Sequence, residues 1–360
     1  MNRARSFNRL PSLGEAMDTF ATAPRLAPPP PTERPLYLYG AGNLGTLARE
    51  FLTAVGHDLA GIFERGDPIP DADARVAVSV VTSPYAAIER GLADRGCTDV
   101  VPFYDLAESL RGQHPLSNGW FAEPFTAADR SEIESVFAGW DDDASRAHHL
   151  QFMAWRRLRE EWTFADAAVS TARYFIPEVA AGLHDHEIFL DGGAHHGAVS
   201  LAFAAMTGNP RVIAVEPDAA NRAVLCEELS DLPDLTVLDC ALAEKDGAGA
   251  FSEGYGFASK LSAFGQTQVN AHSIDSLDVE PTFIKLHLEG GELDALRGAR
   301  DTLHAHRPIV TATVYHNADG LWRTADWLMR ELDDYRFLFR NHCWCGAGAV
   351  VYAIPRERRQ

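Results

Sequence analysis

Short apolar runs alternate with stretches of helical spacing along most of this chain, and the runs group into two sets. In the first, Leu36–Tyr39, Leu59–Phe63, Arg75–Val81 and Asp99–Phe103 read as strands, with helices at Leu44–Val55 and Tyr85–Gly96. Strand–helix alternation predicts a parallel sheet, here a half-sized doubly wound unit over residues 35–115. In the second set, strands are expected at Glu187–Asp191, Arg211–Glu216, Leu235–Leu238, Thr282–His287 and Pro308–Val314. Each ends in polar residues, which would line the sheet edge where open α/β folds place their ligands. Between the sets, Ala127–Phe137 and Arg146–Glu161 carry helical apolar spacing, including Leu150, Met153 and Leu158. Residues 116–178 are therefore expected to form a helical connector or cap, with tryptophans 120, 140, 155 and 162 packing its core or stacking on sugar faces. Residues 1–34, with the run Ala27-Pro-Pro-Pro-Pro31, read as a disordered Pro-rich leader.

Two glycine turns carry candidate chemistry. Gly40-Ala-Gly42-Asn-Leu-Gly45 sits between a strand and a helix, the setting a dinucleotide fingerprint needs. Gly40, Gly42 and Gly45 would seat a phosphate on the helix N-terminus, with Glu64 on a ribose. The plainer account is that these glycines only permit tight strand-to-helix packing. The second turn lies in Ile188–Leu201, IFLDGGAHHGAVSL, followed by Arg211–Asp218, RVIAVEPD. Gly192 and Gly193 let backbone approach a ligand, and Glu216 is placed to accept both hydroxyls of a ribose. The spacing G-G-A-H-H-G is not a pyrophosphate cradle. An ordinary βαβ unit with an acidic strand end would also read this way.

Asp-x-Gly-Ala followed by Glu-Pro-Asp resembles the S-adenosylmethionine site of class I methyltransferases. Thr282–Ala299, TFIKLHLEGGELDALRGA, resembles the I-K-x-D-x-E-G-x-E-x-x-x-L-x-G-A signature of the FkbM family of O-methyltransferases. Val314–Arg323 (VYHNADGLWR) and Tyr335–Arg340 (YRFLFR) are similar to that family's later segments. The resemblance runs from about Tyr174 to Ile354. It implies an α/β fold with a class I methyltransferase (Rossmann-like) C-terminal domain at 179–356, joined by the helical segment to the smaller Rossmann-like half-fold. It further implies S-adenosylmethionine as cofactor, held by Asp191, Gly192, Gly193, Ala194, His195, Glu216 and Asp218, with Asp239 and Cys240 beside the adenine. The acceptor it implies is a hydroxyl of a sugar or of a glycosylated or secondary-metabolite precursor.

Methyl transfer from a sulfonium is an in-line displacement, so a group near the sulfonium must take the hydroxyl proton. The end of the fourth strand is the favoured place, where His287 and Glu289 alternate to one side, with His316 after the fifth strand as second candidate. The chain departs from the family at His287, where Asp is usual, and at His196, where related proteins often have Asp. Three readings stay open: a retuned base, a metal site of His196, His287 and His316 with Glu289, or a domain that has lost its chemistry. Such donors suit Zn²⁺ or Fe²⁺ better than Mg²⁺. The Gly-rich stretch Gly247–Gln268 reads as a functional loop, in which Lys260 either steadies an anionic substrate or is simply solvated.

Composition narrows the partners. A formal charge of −19 argues against nucleic acid as the main ligand. No apolar run is long enough to span a membrane, and no secretory pattern follows Arg3, Arg5 and Arg9. Five cysteines, with Cys343 and Cys345 the only close pair, form no framework, so reduced thiols in a cytoplasm are expected. A non-catalytic nucleotide-sugar or glycan-binding protein and an NAD-linked sugar oxidoreductase using Gly40–Gly45 are the rivals. Oligomeric state and the identity of the N-terminal ligand, a nucleotide or nucleotide-sugar on this reading, are not encoded in any pattern above.

Overall fold

The computed structural model describes residues 4–69, 71–110, 116 and 119–358. The expected unit boundary at residue 115 lies outside the described residues. Two elements, β1 (Ala4–Phe7) and α1 (Leu13–Thr22), precede the first sheet. That sheet comprises β2 (Leu36–Tyr39), β3 (Leu59–Phe63), β4 (Arg75–Val78) and β5 (Asp99–Pro102), all parallel in the order β3-β2-β4-β5. Helices α2 (Asn43–Ala54), α3 (Tyr85–Ala93) and α4 (Phe103–Ser109) connect and flank it.

The middle segment holds α5 (Ala127–Gly139), α6 (Asp143–Leu158) and β6 (Glu161–Phe164). All four tryptophans of this region are buried, so they are core and not sugar platforms. Helix α6 packs against the edge strand of the second sheet, and among the described residues of 116–178 Tyr174 reaches His287 at the end of that sheet.

The disordered leader is also corrected. β1 pairs in parallel with β6, and α1 starts with a reciprocal cap between Ser12 and Glu15. Ala16, Met17 and Phe20 share one helix face and are buried, Phe20 stacking on Trp162 at 5.4 Å. The proline run has no regular structure, yet its path is pinned: Arg75 donates to the Pro30 carbonyl and Arg157 to that of Pro24. Long-range burial orders a segment whose local composition argued for disorder.

The second sheet begins after α7 (Pro177–Ala180), with β7 (Ile188–Gly192), α8 (Ala198–Met206), β8 (Arg211–Val215), α9 (Ala219–Glu228) and β9 (Leu235–Leu238). A small sheet follows from β10 (Ala241–Leu242), β11 (Gly247–Ser252), β12 (Lys260–Leu261) and β13 (Thr267–His272). The stretch expected as a functional loop, Gly247–Gln268, thus carries β11, β12 and the start of β13, with β11 antiparallel to the other two. Gly249 leaves room for Leu261 over β11, because a Cβ there would lie 2.6 Å from that side chain. The main sheet resumes with β14 (Phe283–Leu286), α10 (Glu292–Arg297), α11 (Arg300–His306), β15 (Ile309–Thr313), α12 (Arg323–Glu331), β16 (Tyr335–Asn341) and β17 (Ala349–Pro355).

Its seven strands run β16-β17-β15-β14-β7-β8-β9, with β17 antiparallel to both neighbours. This is the mixed α/β architecture of class I methyltransferases. Alternate side chains feed the two faces: Leu190, Ile213, Ile284 and Val310 point to one core, and Phe189, Val212, Phe283 and Ile309 to the other. Strand order reverses between β7 and β14, which opens a crevice beyond their carboxyl ends. No helix among the described residues is long and apolar enough to cross a membrane.

Candidate active site

Gly193, which follows β7, has φ 72°, and a Cβ on it would stand 2.0 Å from the His287 carbonyl oxygen. Only glycine fits where the turn crosses the end of β14. Beneath the turn, buried Asp191 accepts from Ser200 Oγ (2.7 Å) and Lys285 Nζ (2.8 Å). Lys285 also donates to the carbonyls of Gly192 and Gly193. Asp191 therefore braces the turn from below and does not face the crevice. Lys285 was visible in the sequence only as a strand residue; its partner lies on the neighbouring strand.

Glu216 ends β8. Its carboxylate accepts from the His195 amide (2.7 Å) and the Asp218 amide (3.0 Å), and it lines the crevice with Gly193, His195, Cys240 and His287. Burial pushes its pKa up, against the two amides that lower it. Ala194 is buried under the turn and donates to the Val215 carbonyl. Asp218 caps α9 through one oxygen and with the other accepts from the Gly254 amide and Ser259 Oγ, tying the β11–β12 loop over the crevice. Asp239 is exposed and pairs with Arg222 at 2.8 Å, while Cys240 lines the crevice.

At the end of β14, three of the expected side chains converge. Glu289 Oε1 lies 3.1 Å from His287 Nε2 and 3.3 Å from His316 Nε2. The other ring nitrogens are occupied: His287 Nδ1 by Tyr174 Oη at 2.8 Å, and His316 Nδ1 by Glu292 Oε1 at 3.1 Å. Tyr315 Oη is a further 3.1 Å neighbour of His287 Nε2. Glu292 is itself fixed by the amides of Leu288 and Gly290 and by Thr313 Oγ1. Glu289 adopts φ 53°, a left-handed conformation that costs a non-glycine residue about 1–2 kcal/mol. Burial drives the His287 pKa down to about 4. It would lower His316 too, but Glu289 and Glu292 raise that pKa above its ordinary value. Burial alone would lift Glu289; the two histidines hold it well below the usual carboxylate range.

His196 stays outside this group. It is exposed and stacks on His195, with ring centroids 3.7 Å apart, because the turn aims it away from β14. Tyr174, Tyr315 and Glu292 were missed as site residues. Glu292 and Tyr315 lie within the motif segments themselves, whereas Tyr174 carries no local signal at all.

A cavity of about 620 Å³ opens beside the crevice, lined among others by Glu289, His316 and Asn317. The two spaces share Leu242, Lys260, Leu261 and Gly291, so ligands in them would meet next to His287 and Glu289. In the N-terminal sheet, a separate cavity of about 710 Å³ is bordered by Gly40, Glu64, Arg65 and Arg95. Glu64 accepts from the Ala41 amide there. Gly45 has a packing reason to be glycine, since a Cβ would lie 2.2 Å from the Gly40 carbonyl oxygen; Gly42, which precedes α2, has none.

Residues 191–339 match the methyltransferase FkbM domain. The chain carries an FkbM methyltransferase domain. A solved FkbM methyltransferase from Methylobacillus flagellatus KT shares its fold at a TM-score of 0.62 and 19% identity, covering 94% of this chain and 97% of that one. A precorrin-6y C5,15-methyltransferase from Geobacter metallireducens GS-15 covers 52% of this chain and 93% of its own, at 16% identity and a TM-score of 0.33. An S-adenosylhomocysteine-bound methyltransferase, PaMTH1 from Podospora anserina, covers 71% and 98%, at 13% identity and 0.28. No curated protein sequence matches significantly. The FkbM domain spans β7 to β16 and so contains the crevice, Glu216 and the His287–Glu289–His316 group.

Proposed function

We propose that this methyltransferase uses S-adenosylmethionine to methylate a hydroxyl of a sugar or of a glycosylated or secondary-metabolite precursor. The observation that carries this reading is the junction of two spaces beside His287. One holds a buried carboxylate, Glu216, over a glycine turn; the other is larger and polar, bordered by Glu244, Lys245, Asp294 and Asn317. A ribose diol suits Glu216, whose charge strengthens the hydrogen bonds it accepts. Gly193 leaves room for a methionine main chain along the turn, and Cys240 and Leu242 offer apolar contact to an adenine. When bound, the cofactor supplies a methyl group on a positively charged sulfur.

His287 is the proton acceptor of this reading. Burial keeps its imidazole neutral near pH 7; Nε2 contacts Glu289 Oε1 and Tyr315 Oη, so an acceptor hydroxyl has to displace those contacts to reach it. The bound cofactor would supply the methyl group, its sulfur keeping the electron pair of the C–S bond, and His287 Nε2 would take the proton of the acceptor hydroxyl. Glu289 stands beside that nitrogen and stabilises the resulting imidazolium. His316, held between Glu289 and Glu292, assists by fixing Glu289.

A non-catalytic nucleotide-sugar- or glycan-binding role is the second reading, favoured by the engagement of both His287 nitrogens with tyrosine hydroxyls. On either reading the N-terminal cavity is the candidate seat of a nucleotide or nucleotide-sugar, with Glu64 on a ribose. Transfer of labelled methyl from S-adenosylmethionine into a panel of sugars and nucleotide-sugars separates the two. Incorporation into one acceptor class supports the enzyme; binding of that panel without incorporation supports the binder.

A further inference from the structure

The orientation of the two histidines goes further: what the site would do rests on the methyl-transfer reading, and what it would hold does not. Each ring has its Nδ1 tied to an outer partner, Tyr174 Oη for His287 and Glu292 for His316. Each therefore presents Nε2, and both Nε2 atoms approach the same oxygen, Glu289 Oε1. A carboxylate behind a histidine, fixing ring and tautomer so that the far nitrogen faces a common point, is the outer support that metal-ligating histidines show. Glu292 is a fixed support of this kind, since two amides and a hydroxyl hold it in place.

The spacing agrees. Two ligands each about 2.1 Å from one ion, at angles of roughly 90–110°, stand about 3.0–3.4 Å apart. The observed 3.1 and 3.3 Å fall in that interval, and all three donor atoms lie within 4.8 Å of one another. Glu289 reaches this position through a left-handed backbone at φ 53°, an outlier of the sort that persists when surroundings enforce it. The far side is open: Glu289, His316 and Asn317 border the large cavity, so further coordination positions can be filled by water or by an acceptor oxygen.

We propose that His287, Glu289 and His316 bind one divalent first-row transition ion, of the Zn²⁺ type, at the junction of the cofactor crevice and the acceptor cavity. Two imidazoles and one carboxylate favour such an ion over Mg²⁺. The ion binds the acceptor hydroxyl and lowers its pKa, and the proton leaves to water in the open cavity. His287 Nε2 is then a ligand and not the proton acceptor, so the two roles exclude one another at that atom.

The experiment uses the full chain without an affinity tag, stripped with a chelator and dialysed. Zn²⁺ is titrated calorimetrically and Co²⁺ by its visible absorption, each also in Glu289→Gln and His316→Asn, with S-adenosylhomocysteine binding measured in parallel. The expected result is one ion per chain at micromolar affinity or tighter, weakened at least tenfold in both variants, while S-adenosylhomocysteine affinity stays within a few-fold. Glu289→Gln is nearly isosteric and serves if the buried His316 variant misfolds. A protein that binds S-adenosylhomocysteine but takes up neither ion overturns the metal site and leaves the methyl-transfer reading standing. Uptake undiminished in Glu289→Gln also overturns it, placing the ion elsewhere. Uptake lost in the variants together with no S-adenosylhomocysteine binding in the unaltered protein supports the metal site and removes the cofactor assignment instead.

Discussion

The carbonyl oxygen of His287 lies 2.0 Å from where a Cβ on Gly193 would project, so the turn after β7 and the end of β14 are in backbone contact. On the proposed reading, this one touching pair sets both the cofactor turn and the position of His287. Gly193→Ala has to relieve that clash and also occupy φ 72°. It is expected to cost at least about 1–2 kcal/mol of folding stability and to weaken S-adenosylhomocysteine binding more than tenfold. Denaturant unfolding and calorimetry on the same sample check both effects.

Glu216→Ala removes the carboxylate assigned to the ribose. Hydrogen bonds to a charged group contribute about 1.5–3 kcal/mol, so affinity for S-adenosylhomocysteine is expected to fall about 10- to 150-fold. Unaltered affinity would undo the ribose assignment.

His287→Ala is expected to abolish methyl transfer while cofactor affinity changes no more than a few-fold. The outcome is the same whether His287 accepts the proton or ligates an ion. Unchanged turnover would remove it from the mechanism.

Glu187, just before β7, accepts from Thr282 and Arg358. Burial would raise its pKa, but Arg358, Thr282 and the His184 amide outweigh that and hold it below the ordinary 4.5. A folded pKa below the unfolded one gives stability that is complete above about pH 4.5 and is lost as pH falls through the folded value. Glu187→Gln is therefore expected to cost on the order of 2 kcal/mol at neutral pH. The gap from the unaltered protein should shrink on acidification; a gap constant with pH would contradict this.

Phe20→Ala tests the order of the N-terminal segment. A fully buried aromatic truncated to alanine costs about 3–5 kcal/mol, and Phe20 is buried against Trp162. If the segment were a free leader, the midpoint of unfolding would not move.

What could be read from the sequence was local. The apolar runs that became β7, β8, β14 and β15, the Gly193 turn and the acidic end at Glu216 each depend on neighbouring residues and a fixed period. His287, Glu289 and His316 sit in contiguous motifs and were found by type and place. What depended on distant partners was not legible. α1 does carry local marks, the Ser12–Glu15 cap and the helical spacing of Ala16, Met17 and Phe20, which the neighbouring proline run outweighed; the surface that Trp162 offers it lies far along the chain. The packing of Leu261, in β12, over β11 needed a glycine at 249. Asp239 and Cys240 are adjacent, yet Asp239 pairs with Arg222 and Cys240 lines the crevice, a difference that depends on residues distant in the chain. Lys285 and Tyr174 take their roles from Asp191 and His287, on other elements.

The most direct test of the account is calorimetric titration of the purified full chain with S-adenosylhomocysteine, run on metal-stripped protein and again with Zn²⁺ present. Micromolar binding near one site per chain, lost in Glu216→Ala, is the result this account predicts. Absence of binding under both conditions, by a protein shown to be folded, would contradict it.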